Sequence, residues 1–532
     1  MNQNGSNPHG YLALVLHAHL PYVRHPEHPE FLEEDWLYEA ITETYIPLLI
    51  MLDGFERDNV NACFTMSLTP PLCEMMADPM LQDRYLAKLG KLQALTELEL
   101  KRTLGGPFEA ASQMYKKHLA DCRDTFERRW GKNLVQGFRH YQEKGFIEVV
   151  TCGATHGFLP LMVTESSVRA QIQVAAANYR KHFGRGPRGI WLPECAYAPG
   201  VDRFLREAGI DFFFVDTHGI TFGSPRPRYG QFRPVFCPSG VAAFARDAES
   251  SKQVWSSIEG YPGDFDYREF YRDLGYDGDY AYVKPYLHSD GVRRNVGIKY
   301  HRITGKVGLS EKQPYNPHNA TEKAASHAGN FMHNRQHQIK WLKGVLGTEP
   351  ILVAPYDAEL FGHWWYEGPQ FLNFLMRKIA FDQDDIQLTT PPRFLDKFRR
   401  HQVIEPSASS WGDKGYYEVW LNGSNDWIYR HLHAAEIRMQ ELARRFTHPN
   451  RLQERALKQA ARELLLAQSS DWAFIMTTGT MVAYAQKRTR DHLHRFNGLY
   501  LQLVENRLEE PWLGDLEWRD NIFAEVDPKV YV

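Results

Sequence analysis

Residues 351–365, I-L-V-A-P-Y-D-A-E-L-F-G-H-W-W, decide how this chain folds. Ile351–Ala354 is a short apolar run without alternation, the pattern of a strand buried on both faces, and it runs into a polar turn that carries Asp357. A second stretch, G-I-W-L-P-E-C-A-Y at residues 189–197, has the same design and brings Glu194 to its strand end. Parallel strands in a barrel all end on one face, so two carboxylates this far apart in sequence can share one pocket. Trp191, Tyr197, Tyr356, Phe361, Trp364 and Trp365 crowd the two acids. Paired carboxylates among flat aromatic surfaces suit glycoside chemistry, in which one group attacks the anomeric carbon and the other exchanges protons. A single acidic residue is usually a solvated strand end or half of an ion pair. Their shared context argues for a pair.

Working outward, similar apolar runs occur at Tyr11–Leu16, Val60–Met66, Phe146–Thr151 and Phe212–Val215. Helical spacing appears between several of them, at Thr42–Phe55, Val168–Phe183 and Val201–Ala208. Strand, polar turn and helix in alternation predict an α/β fold with parallel strands. Two stretches interrupt it. Leu81 to about Lys144 reads as helical throughout, which predicts a helical subdomain inserted at 75–144. Residues 222–318 are rich in Gly, Pro, Asp and Tyr and read as irregular lid or binding loops. Asn425–Phe446, Arg451–Gln468 and Gly479–Glu505 are amphipathic, so a C-terminal helical domain is expected at 411–532, contributing to the cleft of a catalytic barrel at 11–405. The first ten residues read as a tail.

The chain has 532 residues, 43% hydrophobic and 24% charged, which is ordinary for a soluble protein of several domains. Aromatic residues reach 13%, an excess that suits a cleft stacking on sugar rings as well as it suits an aromatic core. A formal charge of −3 argues against nucleic acid or an anionic membrane as partner. The six cysteines show no C-x-x-C spacing, so neither a zinc knuckle nor a disulfide framework is indicated. The polar start lacks the regions of a signal peptide, and no apolar run approaches the ~20 residues of a membrane span, so a cytoplasmic location is expected.

Other strand ends also carry polar groups. His17 and His19, two residues apart in H-A-H-L-P-Y-V, fit either hydrogen bonding to sugar hydroxyls or metal ligation. His156 follows the third run in G-A-T-H-G-F-L-P, and Asp216 and His218 follow the fifth. Downstream, Trp411 and Trp420 stand in S-S-W-G-D-K-G-Y-Y-E-V-W, and Gln468, Asp471 and Trp472 in L-A-Q-S-S-D-W; Trp472 by itself reads as core. The stretch with His318, His327, His333 and His337 reads as a solvated helix face. Walker-type and strand-linked G-x-G-x-x-G motifs are missing, and neither a cofactor nor a metal is expected.

These motifs resemble those of glycoside hydrolase family 57. H-A-H-L-P, G-A-T-H-G-F-L-P, W-L-P-E-C-A-Y, Y-D-A-E-L-F-G-H-W-W and L-A-Q-S-S-D-W resemble its five conserved regions in order. H-A-H-L-P together with W-L-P-E-C looks most like the family's 1,4-α-glucan branching enzymes, whereas its amylases and 4-α-glucanotransferases usually carry a Gln-rich first region. The resemblance implies an incomplete (β/α)7 TIM-like barrel with an inserted helical subdomain and an all-helical C-terminal domain. It implies Glu194 as nucleophile and Asp357 as general acid/base of a retaining transglycosylase. His17, His19, His156, Trp36, Trp364, Trp411, Trp420, Gln468 and Asp471 would bind substrate, and Tyr229 in R-P-R-Y-G would sit on a mobile loop closing over the cleft. The chain departs from several branching enzymes by passing almost directly from W-L-P-E-C-A-Y to V-D-R-F-L. Implied partners are α-1,4-glucans (amylose, glycogen, amylopectin) as donor and acceptor, with the protein a monomer or small homo-oligomer. The rival readings are a hydrolytic amylase or 4-α-glucanotransferase of the same family and, more remotely, a metal-dependent polysaccharide deacetylase or a silent glucan-binding protein.

Overall fold

The computed structural model describes residues 8–255 and 260–532. Most of the expected tail, and four residues of the irregular stretch, lie outside the described residues. The nine strands of the described residues are β1 (Gly10–Ala18), β2 (Phe64–Leu68), β3 (Ile147–Val150), β4 (Gly189–Ile190), β5 (Phe212–Val215), β6 (Val235–Phe236), β7 (Ala242–Ala245), β8 (Ile351–Asp357) and β9 (Ile386–Leu388). β3, β2, β1 and β8 pair in that order, all parallel, and β4, β5 and β7 form a second parallel group. Single parallel bridges join the groups, Thr151 to Ile190 and Arg246 to Val353. The result is a ring of seven parallel strands, thin at two junctions. β6 pairs antiparallel with β7, and β9 pairs with the first residues of β1.

The apolar runs become strands because both faces are covered. All nine residues of β1 are buried, as parallel strands wrapped by helices must be. Glu165–Phe183 shows how the helices are delimited: Thr164 accepts a hydrogen bond from the Ser167 N–H, and Gly184 ends the helix at φ 71. Between β2 and β3 lie the helices Pro70–Ala77, Pro79–Thr103, Glu109–Arg123 and Leu134–Glu143. Beyond the ring, Tyr429–Arg445, Arg451–Ala467, Ser470–Thr478, Val482–Val504 and Glu510–Arg519 pack together as a helical layer. Trp472 is fully buried there and its indole N–H donates to the Leu466 carbonyl, so it belongs to the core. None of the helices among the described residues is long and apolar enough to cross a membrane.

The irregular stretch differs from expectation. It contains β6, β7 and the helix Ala248–Trp255. β7 is A-A-F-A, too short and too small in its side chains to stand out as an apolar run.

Candidate active site

Because the ring strands are parallel, their C-terminal ends open on one face, and there lies a cavity of about 710 Å³. Register builds its floor. His17 pairs across β1 with Ser67 on one side and Asp357 on the other, so three side chains from three strands share one level. The turn Pro193–Cys195 after β4 supplies Glu194 and β7 is followed by Arg246, while Asp471 lies in the first turn of the helix Ser470–Thr478 of the outer layer. Glu194, Asp357, His17, His19, His156, Trp364, Trp411, Trp420 and Asp471 all line this cavity. Nine of the twelve expected site residues therefore come together.

Three do not. Gln468 is buried away from the cavity, its amide held between Gln171 and Glu436 at 3.3 Å each, because its side chain leaves the end of Arg451–Ala467 toward the core. Trp36 lines a neighbouring chamber instead. Tyr229 starts the turn Gly230–Phe232, which packs on β7 and β8. Close by, Arg233 donates to the carbonyl of Glu349, just before β8, so this turn sits at the opposite end of the ring and does not close over the cleft.

Glu194 is held in a strained backbone. It and Cys195 have φ of 61° and 49°, and His156 has 58°. For residues other than glycine each such conformation costs of order 1–3 kcal/mol, and it persists where the surroundings over-determine it. Here the surroundings are the segment around Trp411. Its backbone N–H donates to the Glu194 carbonyl, its indole N–H donates to Glu194 Oε2 at 2.9 Å, and Ser409 and Tyr197 exchange backbone bonds alongside.

A directed chain of hydrogen bonds reaches the other oxygen. Ser470 Oγ lies 3.3 Å from Glu194 Oε1 and 2.8 Å from His156 Nδ1; His156 Nε2 lies 3.1 Å from His17 Nε2; His17 Nδ1 lies 3.1 Å from Ser67 Oγ. Burial, with the neighbouring imidazoles, drives the pKa of His17 and of His156 well down, so both rings are neutral. An ionised Glu194 accepts the Ser470 hydroxyl. Ser470 must then accept from His156 Nδ1–H, His156 Nε2 from His17 Nε2–H, and His17 Nδ1 from Ser67. The acceptor at one end fixes every tautomer behind it.

The two carboxylates have opposite surroundings. Burial pushes Glu194 up to about 7, opposed by the Trp411 indole and the Ser470 hydroxyl, which favour its charged form. Asp357 is raised well above the ordinary range by burial and then by the charges of Glu359 and Glu194, with Arg246 opposing. Glu359 accepts the Tyr45 hydroxyl at 2.5 Å and the His19 backbone N–H. Of the pair, Asp357 keeps its proton and Glu194 gives its proton up.

His19 stacks on His156 at 3.8 Å and its Nε2 meets both oxygens of Asp471 at 3.0 Å. Burial works against both charges, yet each outweighs it for the other: Asp471 falls to about 2 and His19 rises above its ordinary value. His19, His156 and Asp471 are close enough to hold a cation, but their donor atoms are engaged with one another, with His17 and with Ser470.

Several site residues were not anticipated. Glu359 stands two residues after Asp357 in the opening motif and Ser470 beside Asp471, so neighbouring positions in recognised motifs were the available signal. Arg246 and Trp255 follow β7, the strand the sequence did not reveal. Asp216 does not line the cleft; it caps Thr217–Thr221 and pairs with Arg246 at 3.3 Å.

Residues 13–407 match the model of Glycosyl hydrolase family 57, and residues 431–531 match a model described as 1,4-alpha-glucan branching enzyme, C-terminal. The chain is 35% identical to a 1,4-alpha-glucan branching enzyme of Thermococcus kodakarensis over 98% of its own length and 78% of that protein's. Among solved structures, the Pyrococcus horikoshii branching enzyme superposes with TM-score 0.88 at 35% identity, covering 98% of this chain and 97% of that one. The Thermotoga maritima alpha-amylase AmyC superposes with TM-score 0.92 at 47% identity, covering 98% and 99%. Since the family model spans the strands that carry both carboxylates and all three cleft histidines, the chain belongs to glycosyl hydrolase family 57.

Proposed function

We propose that the protein is a 1,4-α-glucan branching enzyme: a retaining transglycosylase that cleaves α-1,4 glucan and rejoins the chain through an α-1,6 bond. The unequal pair, a Glu194 supplied with two hydrogen-bond donors and an Asp357 flanked by Glu359, carries the two-step chemistry, and the match of residues 431–531 to the branching-enzyme C-terminal model supports the α-1,6 outcome. Ionised Glu194 attacks the anomeric carbon, and protonated Asp357 gives its proton to the departing glycosidic oxygen. A glycosyl ester on Glu194 results. Asp357, now ionised, takes the proton from the 6-hydroxyl of an acceptor glucan, whose oxygen displaces Glu194. Trp364, Trp411 and Trp420 line the cavity, and Trp364, more than half exposed, offers its ring face to a sugar. Amylose, glycogen and amylopectin are the expected donors and acceptors, and glucan synthesis in the cytoplasm is the setting proposed for it.

Product linkage on amylose tests the proposal. New α-1,6 linkages should outnumber new reducing ends. The specific observation favouring hydrolysis is the 47% identity to a protein described as an alpha-amylase, together with the position of Tyr229 away from the cleft. Reducing ends without α-1,6 linkages would decide for that reading.

The pH profile gives a second test. Activity needs Glu194 ionised and Asp357 protonated, so it should fall on the acid side through the Glu194 pKa near 7 and on the alkaline side as Asp357, raised well above the ordinary carboxylate range by burial and by Glu359, loses its proton. Trp411→Phe removes a donor that favours ionised Glu194. Hydrogen bonds to charged groups contribute about 1.5–3 kcal/mol, so the acid limb of kcat/KM should move up by roughly one pH unit or more. An unmoved limb would separate the indole from the nucleophile.

A further inference from the structure

A second cavity, of about 260 Å³, lies next to the catalytic cleft and shares one wall with it, the indole of Trp364. Trp364 stacks on Phe270 at 4.5 Å, and Trp36 and Tyr366 supply further aromatic wall. At ~30 Å³ per water molecule the space holds roughly nine waters. That is room for a single sugar ring and not for a chain of them.

Of the charged groups around this chamber, all but one have a hydrogen-bond partner. Glu43 is held between Arg268 at 3.0 Å and His363 at 2.7 Å. Lys88 pairs with Asp35 at 3.0 Å, and Lys299 donates to the Phe270 carbonyl at 2.6 Å. Glu39 receives no hydrogen bond from the described residues. Its nearest cation, His363 Nδ1 at 3.9 Å, is already engaged with Glu43. The Glu39 side chain keeps 37% of its exposure, and it lines the chamber. Surrounding protein and the charges of Glu43 and Asp35 raise its pKa to about 7.

An unfilled acceptor among flat apolar faces limits what fits. An apolar ligand would leave the carboxyl buried and unpaired, at a cost. A cationic ligand would meet Arg268, Lys299 and His363. A pyranose ring satisfies both demands, with C–H faces against the indoles and hydroxyls donating to the carboxyl.

We propose that this chamber is a sugar subsite separate from the catalytic cleft, holding one terminal glucosyl ring of an α-glucan whose hydroxyls donate to Glu39. The proposal rests on the α-glucan reading given above.

Two variants test it, Glu39→Leu, which removes the acceptor, and Leu92→Phe, which fills the space. Each is compared with the wild type on amylose and on a short aryl maltoside too small to occupy both sites. For both variants KM on amylose should rise about tenfold, the loss of one good hydrogen bond to a charged group. Their kcat/KM on the aryl maltoside should stay at the wild-type value, which also shows that fold and cleft are intact. An amylose KM unchanged in both variants overturns the proposal, and so does an equal fall on both substrates. A wild-type enzyme inert on both glucans overturns the α-glucan reading, and this proposal with it; that outcome is distinguishable because it needs no variant.

Discussion

Glu194→Gln is expected to reduce turnover of amylose on the order of 10⁴-fold or more, because the amide keeps the shape of the carboxylate but cannot form the glycosyl ester. The variant should fold normally. Glu194 is a strained, partly desolvated carboxyl, and a neutral amide relieves the burial that raises its pKa. Asp357→Asn should behave differently. Loss of the general acid costs roughly 10²–10⁴-fold on glucan, but a substrate with a good leaving group needs no proton to depart. On an aryl maltoside the first step should therefore survive in Asp357→Asn, giving a burst of phenol followed by slow turnover, while Glu194→Gln shows no burst. Azide extends the contrast. It enters the Asp357→Ala glycosyl-enzyme to give the α-azide, whereas in Glu194→Ala it attacks the substrate itself and gives the β-azide. The reverse pairing of variant and anomer would exchange the roles of the two acids. Full activity in Glu194→Gln would remove it from the mechanism.

The assignment of these roles needed the structure, although the residues themselves were legible in the sequence. Ile351–Ala354 and Gly189–Leu192 stand out as apolar runs because parallel strands buried on both faces cannot alternate polar and apolar side chains. The common face of their ends followed from strand direction alone. What could not be read was contact between elements far apart in sequence: Trp411 and Ser470 approach Glu194 from 217 and 276 residues away. β7 was lost because A-A-F-A carries too little side chain to register as a run, and Arg246 and Trp255 were lost with it. Tyr229 and Gln468 erred in another way. Each lies in or beside a motif of the right kind, but a backbone direction, not a residue type, decides whether a side chain faces the cleft. R-P-R-Y-G turns at the far end of the ring, and Gln468 points inward from its helix end.

Asp471→Asn is expected to lower both stability and activity, and the pH dependence of the stability loss identifies its cause. Asp471 has a pKa of about 2 in the folded protein, below its ordinary value of 3.8, so its contribution is complete above about pH 4 and is lost as pH falls through 2. The shift corresponds to about 2 kcal/mol. His19 carries the opposite sign: its folded pKa lies above 6.5, so its share is complete below 6.5 and is lost as pH rises through the folded value. The pair therefore stabilises most between about pH 4 and 6.5. Removing one partner of a buried pair costs up to about 3–5 kcal/mol when the other must stay charged; here His19 can shed its proton instead, which keeps the loss toward the lower figure. The difference in apparent Tm between wild type and Asp471→Asn should be largest near pH 5.5 and shrink as pH rises through the folded pKa of His19, above which the imidazole is neutral in both. A difference that does not change with pH would mean that Asp471 acts through packing alone. Because Asp471 belongs to the outer helical layer and His19 to the ring, the same variant should raise KM for amylose by loosening the wall they form together over His156.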